Sequence, residues 1–155
     1  LKLLFVTLGA KKVITYIQSG NIIFEHENEN PNDLCSLISK SITQSYGFDV
    51  PVITFTTKYL TRAIKNNPFV KDNKTAQLHL TFLNELPEKK LSEEINKFKF
   101  APDQFKIIEK TAYINCIGKY HQTKFSNQFF EKKLNITATT RNWKTVLKLN
   151  ELANK

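Results

Sequence analysis

Apolar positions recur along this chain with two different periods, and the changes of period mark out its elements. Leu1 to Leu8 reads as the tail of a helix stopped by Gly9, and the β-rich runs Val13–Gln18 and Asn21–Glu25, joined through Ser19-Gly20, read as a hairpin. After the polar loop Asn28–Pro31, a cap at Asn32 or Asp33 opens a helix whose inward positions are Leu34, Leu37, Ile38, Ile42 and Tyr46 and which ends at Gly47. Pro51–Thr56 is predicted as a strand and Thr57–Asn66 as a helix, with Leu60, Ala63 and Ile64 inward and Asn67-Pro68 as its stop. Beyond the loop Val70–Lys74, Gln77–Leu83 reads as a strand, and Pro87 leads in a helix over Glu88–Phe98 with Leu91, Ile95 and Phe98 on one stripe. Phe105–Glu109 and Ala112–Ile117 form a second predicted hairpin, followed by helices over Thr123–Leu134 and Arg141–Ala153.

The second part thus runs strand, helix, strand, strand, helix, and the first part runs helix, strand, strand, helix, strand. The two orders coincide if a strand once preceded Leu1. The expected fold class is therefore α+β: two related split β-α-β (ferredoxin-like) subdomains, residues 1–56 and 57–155, with an additional C-terminal helix. The chain holds no methionine and opens inside a helical pattern, so the first strand of the N-terminal subdomain reads as missing from this sequence.

Composition narrows the class. With 41% hydrophobic and 24% charged residues, and no apolar run near the ~18 residues a membrane span needs, the chain reads as a soluble protein. No charged-then-apolar leader opens it, so the expected compartment is the cytoplasm, with Cys35 and Cys116 as free, buried structural thiols. The Asn-x-Thr triplets at Asn73 and Asn135 are then chance matches to a glycosylation acceptor. Net charge is +9, and residues 110–155 hold nine basic against two acidic residues, a net +7. A lysine-rich bias would raise charge everywhere without depleting acids from one third, so the asymmetry points to an anionic partner, with a merely solvated face as the equal competing reading.

Val13-Ile14-Thr15-Tyr16-Ile17-Gln18-Ser19-Gly20-Asn21-Ile22-Ile23-Phe24 resembles the hairpin of the bacterial domain-of-unknown-function 1697 family, and Thr139-Thr140-Arg141-Asn142-Trp143-Lys144-Thr145-Val146 resembles its carboxy-terminal motif. Tyr46-Gly47-Phe48-Asp49-Val50-Pro51-Val52, Asn67-Pro68-Phe69 and Lys124-Phe125-Ser126-Asn127 lie between them where that family has similar pieces. Members begin with a strand and an Arg-Gly-Ile-Asn-like turn that this sequence lacks. The family's activity is not established, so the resemblance speaks to fold rather than chemistry.

The candidate chemistry centres on Arg141, one of two arginines among 23 basic residues, because a guanidinium offers a flat fork where lysine offers a point charge. If Thr139 or Thr140 caps the last helix, Arg141 and Asn142 fall in its first turn, where a cation opposes the helix dipole unless it meets an anion. Arg141, Lys144 and Lys148 then form a basic stripe, opposite a buried side of Trp143, Val146, Leu147, Leu149 and Ala153. The competing reading pairs Arg141 with an internal carboxylate. A second candidate is Gly118-Lys119-Tyr120-His121-Gln122-Thr123-Lys124, a glycine turn leading lysines into a helix, which lacks the second glycine of a P-loop and reads more readily as a solvated loop than as a weak anion contact through Lys119, His121 and Lys124. The third is the hairpin tip Gln18-Ser19-Gly20-Asn21, whose residues a tight turn needs in any case.

Together these suggest a nucleic acid or nucleotide ligand: Arg141 for the forked contact, Lys124, Lys144 and Lys148 for the field, Asn127, Asn142 and Thr140 for oriented hydrogen bonds. Two alternatives stand beside it. An enzyme on a small phosphorylated or carboxylated substrate would gather Gln18, Ser19, Asn21 and Arg141 around one cleft, and a protein-interaction module would expose a large aromatic patch among the 12 phenylalanines. His26, His79 and His121 lack metal-ligand spacing, no motif implies a cofactor, and nothing in the sequence indicates an oligomeric state.

Overall fold

The computed structural model describes residues 1–72 and 74–155, so the triplet at Asn73 lies outside the described residues. The chain forms two compact units, Leu1–Thr61 with Lys148–Lys155, and Arg62–Leu147, where the sequence suggests a single division at 56/57.

In the first unit, α1 (Lys2–Thr7) runs into Gly9, whose φ of 89° turns the chain toward the antiparallel hairpin of β1 (Lys11–Tyr16) and β2 (Asn21–Glu25). The ladder sets Ile14 opposite Ile23 and Tyr16 opposite Asn21. Helix α2 (Pro31–Tyr46) is capped by Asn30, whose side chain accepts from the amides of Asn32 and Asp33, and not by Asn32 or Asp33 themselves. Pro31 has no amide hydrogen to satisfy and suits the first helical position, so the capping duty falls on the residue before it. Gly47, at φ 76°, closes the helix with a bond to the Thr43 carbonyl. Phe5, Val13, Ile38 and Ile42 form the buried centre of this unit, with Phe5 set edge-on to Phe24 at 5.1 Å.

Residues 51–56 are not a strand, contrary to the expectation for Pro51–Thr56. They run beside α2, where the Cys35 thiol donates to the Val52 carbonyl (2.9 Å) and the Thr54 hydroxyl donates to the Pro31 carbonyl. A β-branched run becomes a strand only where a neighbour supplies ladder partners, and the ladder of this unit joins β1 to β2 alone. Thr61, on α3 (Thr57–Lys65), donates to Asn150 on α6 (Trp143–Ala153) at 2.8 Å.

The second unit contains β3 (Leu78–Leu83), α4 (Lys89–Ile95), β4 (Gln104–Ile108), β5 (Thr111–Asn115), α5 (Asn127–Leu134) and β6 (Ala138–Asn142). Its four-stranded sheet has the order β4-β5-β3-β6 with every pair antiparallel, the arrangement of a split β-α-β unit. The expected order stopped one element short: residues 138–142 are the fourth strand, and the last helix begins at Trp143 rather than Arg141. Helix α5 likewise begins at Asn127 with Ser126 as its cap, after a 3-10 turn over Tyr120–Gln122, and not at Thr123. Asn135, at φ 54°, ends it in the left-handed conformation that asparagine tolerates.

One face of the sheet packs Leu83, Ala112, Ile114 and Cys116 against Ile95, Phe125, Phe130 and Leu134. On the opposite face, Tyr113 is buried and its hydroxyl donates to the Ala63 carbonyl of α3 at 2.7 Å. Most phenylalanines here are core: Phe105, Phe125, Phe129 and Phe130 touch ring to ring, with Phe125 and Phe130 buried. Truncating Phe130 to Ala removes the centre of this cluster and is expected to cost about 3–5 kcal/mol of stability, read as a lowered urea midpoint with an unchanged slope.

Candidate functional site

Arg141 lies in β6 opposite Leu80, half-buried, and its Nη1 donates to the Thr139 hydroxyl (2.7 Å) and the Thr140 carbonyl (2.9 Å). Burial pulls its pKa below the ordinary value, though a guanidinium stays charged. The premise of a cation in a helix's first turn is thereby overturned. Thr139 and Thr140 are strand residues, and the cap is Asn142, whose Oδ1 accepts from the Thr145 amide at 2.8 Å. The β-branched pair Thr139-Thr140 beside the open edge of β3 favours a ladder over a helix start.

The basic stripe changes with it. Only Lys144 and Lys148 lie on α6; Lys144 is exposed, while Lys148 is held by Glu151 at 2.8 Å. Trp143 is buried core, and Leu147, expected on the buried side, is exposed.

Thr140 and Asn127 come together, but around the protein's own backbone. The Thr140 hydroxyl donates to Asn127 Oδ1 (3.1 Å) and stands 2.7 Å from the Thr81 hydroxyl, while Asn127 Nδ2 donates to the Ala138 carbonyl (3.0 Å). Glu131 Oε1 accepts from the Ala138 amide at 3.0 Å. Two side chains of α5 thus occupy both polar groups of an edge-strand residue, which blunts the edge of the sheet.

The hairpin tip is equally inward. Asn21, nearly buried, donates to the Tyr16 carbonyl (3.1 Å) and the Ser19 hydroxyl (2.8 Å), and Gly20 takes φ 78°, so Ser19 and Asn21 fix the turn while Gln18 is exposed. In the loop 118–124, Lys119, His121 and Lys124 are exposed and Thr123 donates to Asp103 at 2.6 Å. Asp103 also accepts from the Ile117 amide at 2.9 Å, which pins both ends of the loop to one carboxylate. Tyr120 stacks on His79 with ring centres 4.4 Å apart, and burial pushes the His79 pKa down against a smaller opposing effect of the Gln77 carbonyl. Among the described residues, no group of three or more His, Cys, Asp or Glu could hold a metal ion. A depression of about 340 Å³ is lined by Asn84, Glu85, Glu131 and Thr137, a donor set with the wrong sign for an anion.

One surface lay outside the sequence reading. Lys97-Phe98-Lys99-Phe100 follows α4, with both lysines and Phe100 exposed, and the Lys133 ammonium sits 4.4 Å over the Phe98 ring. The alternation of cation and ring at these four positions is the sequence signal for it, and the helix expected over Glu88–Phe98 takes in only Lys97 and Phe98.

The fold defines a two-unit α+β protein whose second unit is a complete split β-α-β module. The chain belongs to the family described as "Protein of unknown function (DUF1697)", whose family model matches residues 1–113. The carboxy-terminal motif at 139–146 lies beyond the matched residues. The structure of a conserved bacterial protein from Streptococcus pneumoniae matches 99% of this chain and 87% of its own, with a TM-score of 0.79 and 18% identity, a likeness of fold. Comparison with curated proteins gave no match. Among the described residues, no helix is long and apolar enough to cross a membrane.

Asn127→Ala strips the edge carbonyl of Ala138 and one partner of Thr140, so it is expected to lower stability by about 1–3 kcal/mol in chemical denaturation; an unchanged stability would remove the structural role. For His79, the folded pKa lies below the unfolded value of 6.5, so between the two the unfolded state binds more protons. Stability should therefore fall as pH drops below about 6.5 and level off beneath the folded pKa. Comparing denaturation across that window with a His79→Asn variant should show this component disappear.

Proposed function

We propose that this protein binds a polyanionic ligand, nucleic acid or a nucleotide, through the unit Arg62–Leu147. The observation that carries the reading is the distribution of charge over the two units. Residues 62–147 hold 16 basic and eight acidic residues, a net +8, whereas 1–61 with 148–155 hold seven and six. A uniform lysine bias would leave both units basic, so the imbalance marks one of them for an electrostatic partner.

Lys119, Lys124 and Lys144 are exposed and stand outside the ion pairs found among the described residues. They supply the field, and Arg141 adds a charge held in place on a strand. Asn127, Thr140 and Asn142 act one step back, by holding the backbone that carries Arg141 and Lys144. Lys148, paired with Glu151, contributes less than an unpaired lysine would.

Each lysine that meets a phosphate releases counterions, so affinity must fall as salt rises. Titration with single- and double-stranded DNA and RNA at several salt concentrations is expected to give a linear loss of log affinity with log salt. Lys124→Ala and Lys144→Ala should each shallow that slope by about one. Absence of salt-sensitive binding to any of the four ligands would reject the reading.

A further inference from the structure

We infer that the surface formed by Lys97, Phe98, Lys99, Phe100 and Lys133 is a binding site for an unpaired nucleic acid strand; the inference rests on the polyanion reading above and assigns it a location and a ligand class.

Lys97 to Phe100, one residue beyond the end of α4, leave the helix and alternate cation and ring. Phe98 and Phe100 touch at 6.1 Å between centres, and both lean on Phe129, at 5.6 and 6.1 Å. Phe100 also meets the buried Phe125 at 5.3 Å. Below this surface the rings are core; at its top Phe100 is 36% exposed. A half-seated ring of this kind is a prepared stacking platform, because its orientation is set by packing before any ligand arrives. The Asp103 amide donates to the Phe100 carbonyl at 3.1 Å, which fixes the far end of the segment.

The charges around the platform have one dominant sign. Lys97, Lys99, Lys132 and Lys133 are exposed, and Lys133 reaches over the Phe98 ring. Two neighbouring carboxylates are turned to internal work: Asp103 accepts from the Ile117 amide and the Thr123 hydroxyl, and Glu131 from the Ala138 amide. Glu94, at the end of α4, remains exposed.

Lysines alone would accept any polyanion; the rings select within that class. Base faces are available for stacking in a single strand and hidden in a duplex, and stacking on an aromatic side chain is tolerant of base identity. A lipid surface fits less well. Interfacial binding needs an apolar face sunk into the acyl boundary, whereas here the exposed ring of Phe100 stands between exposed lysines.

The test is fluorescence anisotropy of the intact chain with an unstructured oligothymidylate, an oligouridylate and a duplex, beside sedimentation with phosphatidylserine vesicles. Wild type should prefer the single strands. Phe100→Ala should weaken them by about tenfold and leave duplex binding unchanged, with Phe100→Tyr restoring affinity. The double variant Lys97→Ala, Lys99→Ala touches no core ring, keeps the fold testable, and should shallow the single-strand salt slope by about 1.4. If wild type binds no nucleic acid at low salt, the polyanion reading itself fails. If wild type binds but these variants match it, this surface is overturned while the broader reading stands. Vesicle binding that depends on Phe100, without oligonucleotide binding, overturns the assignment in favour of a membrane surface.

Discussion

The pairing of β3 with β6 decides more about this protein than any other interaction. Strand β3 is hydrogen-bonded on both sides, to β5 and to β6, and its residues Leu78, Leu80, Thr81, Phe82 and Leu83 are buried. By offering its second edge to residues 138–142 it turns a sequence that could start a helix into a strand. Arg141 is thereby set opposite Leu80 and Thr140 opposite Thr81, and α6 cannot begin before Trp143. The first unit provides the contrast. Residues 51–56 have a composition as suited to a strand as 138–142, yet among the described residues they have no ladder partner and run beside α2 instead. Strand formation here is a property of a pair of segments, not of one.

That is also why the sequence was legible in some places and opaque in others. Elements delimited by their own residues were readable: Gly20 closing the first hairpin, Gly47 stopping α2, and the spacing of Leu91 and Ile95 on α4 all act within a few positions. The α+β class followed from their order. Thr139-Thr140-Arg141-Asn142 was misread because threonine serves equally as a cap or a strand residue, and only a partner more than fifty positions away decides between them. Asn30 escaped for a local reason: a proline inside the first turn moves the cap outward by a residue or two.

The candidate site shows the same division. Residue type alone offered Asn21, Asn127, Thr140 and Asn142 as ligand groups, but each is used to satisfy the chain's own polar atoms. Buried or edge backbone groups must find partners, and short polar side chains beside turns, caps and edge strands are the cheapest source of them. Asn127 and Glu131 together close Ala138 at the edge of the sheet, a duty invisible until α5 and β6 are placed side by side. The lysines escaped this fate because their charges are costly to bury and their long stems carry them to solvent.

What remains exposed constrains the kind of recognition on the proposed reading. With Asn127 and Thr140 committed inward and Arg141 half-buried, the outward groups of the proposed binding surfaces are ammonium points and the partly exposed ring of Phe100. Neither type distinguishes one base edge from another: an ammonium has no fixed fork, and a π face accepts any flat partner. Recognition built from such groups responds to charge density and to whether bases are unpaired, not to their order. A sequence-reading function would require oriented donor and acceptor pairs facing solvent, and in this unit the asparagine and threonine groups best suited to that duty already hold β6 and the start of α6 in place.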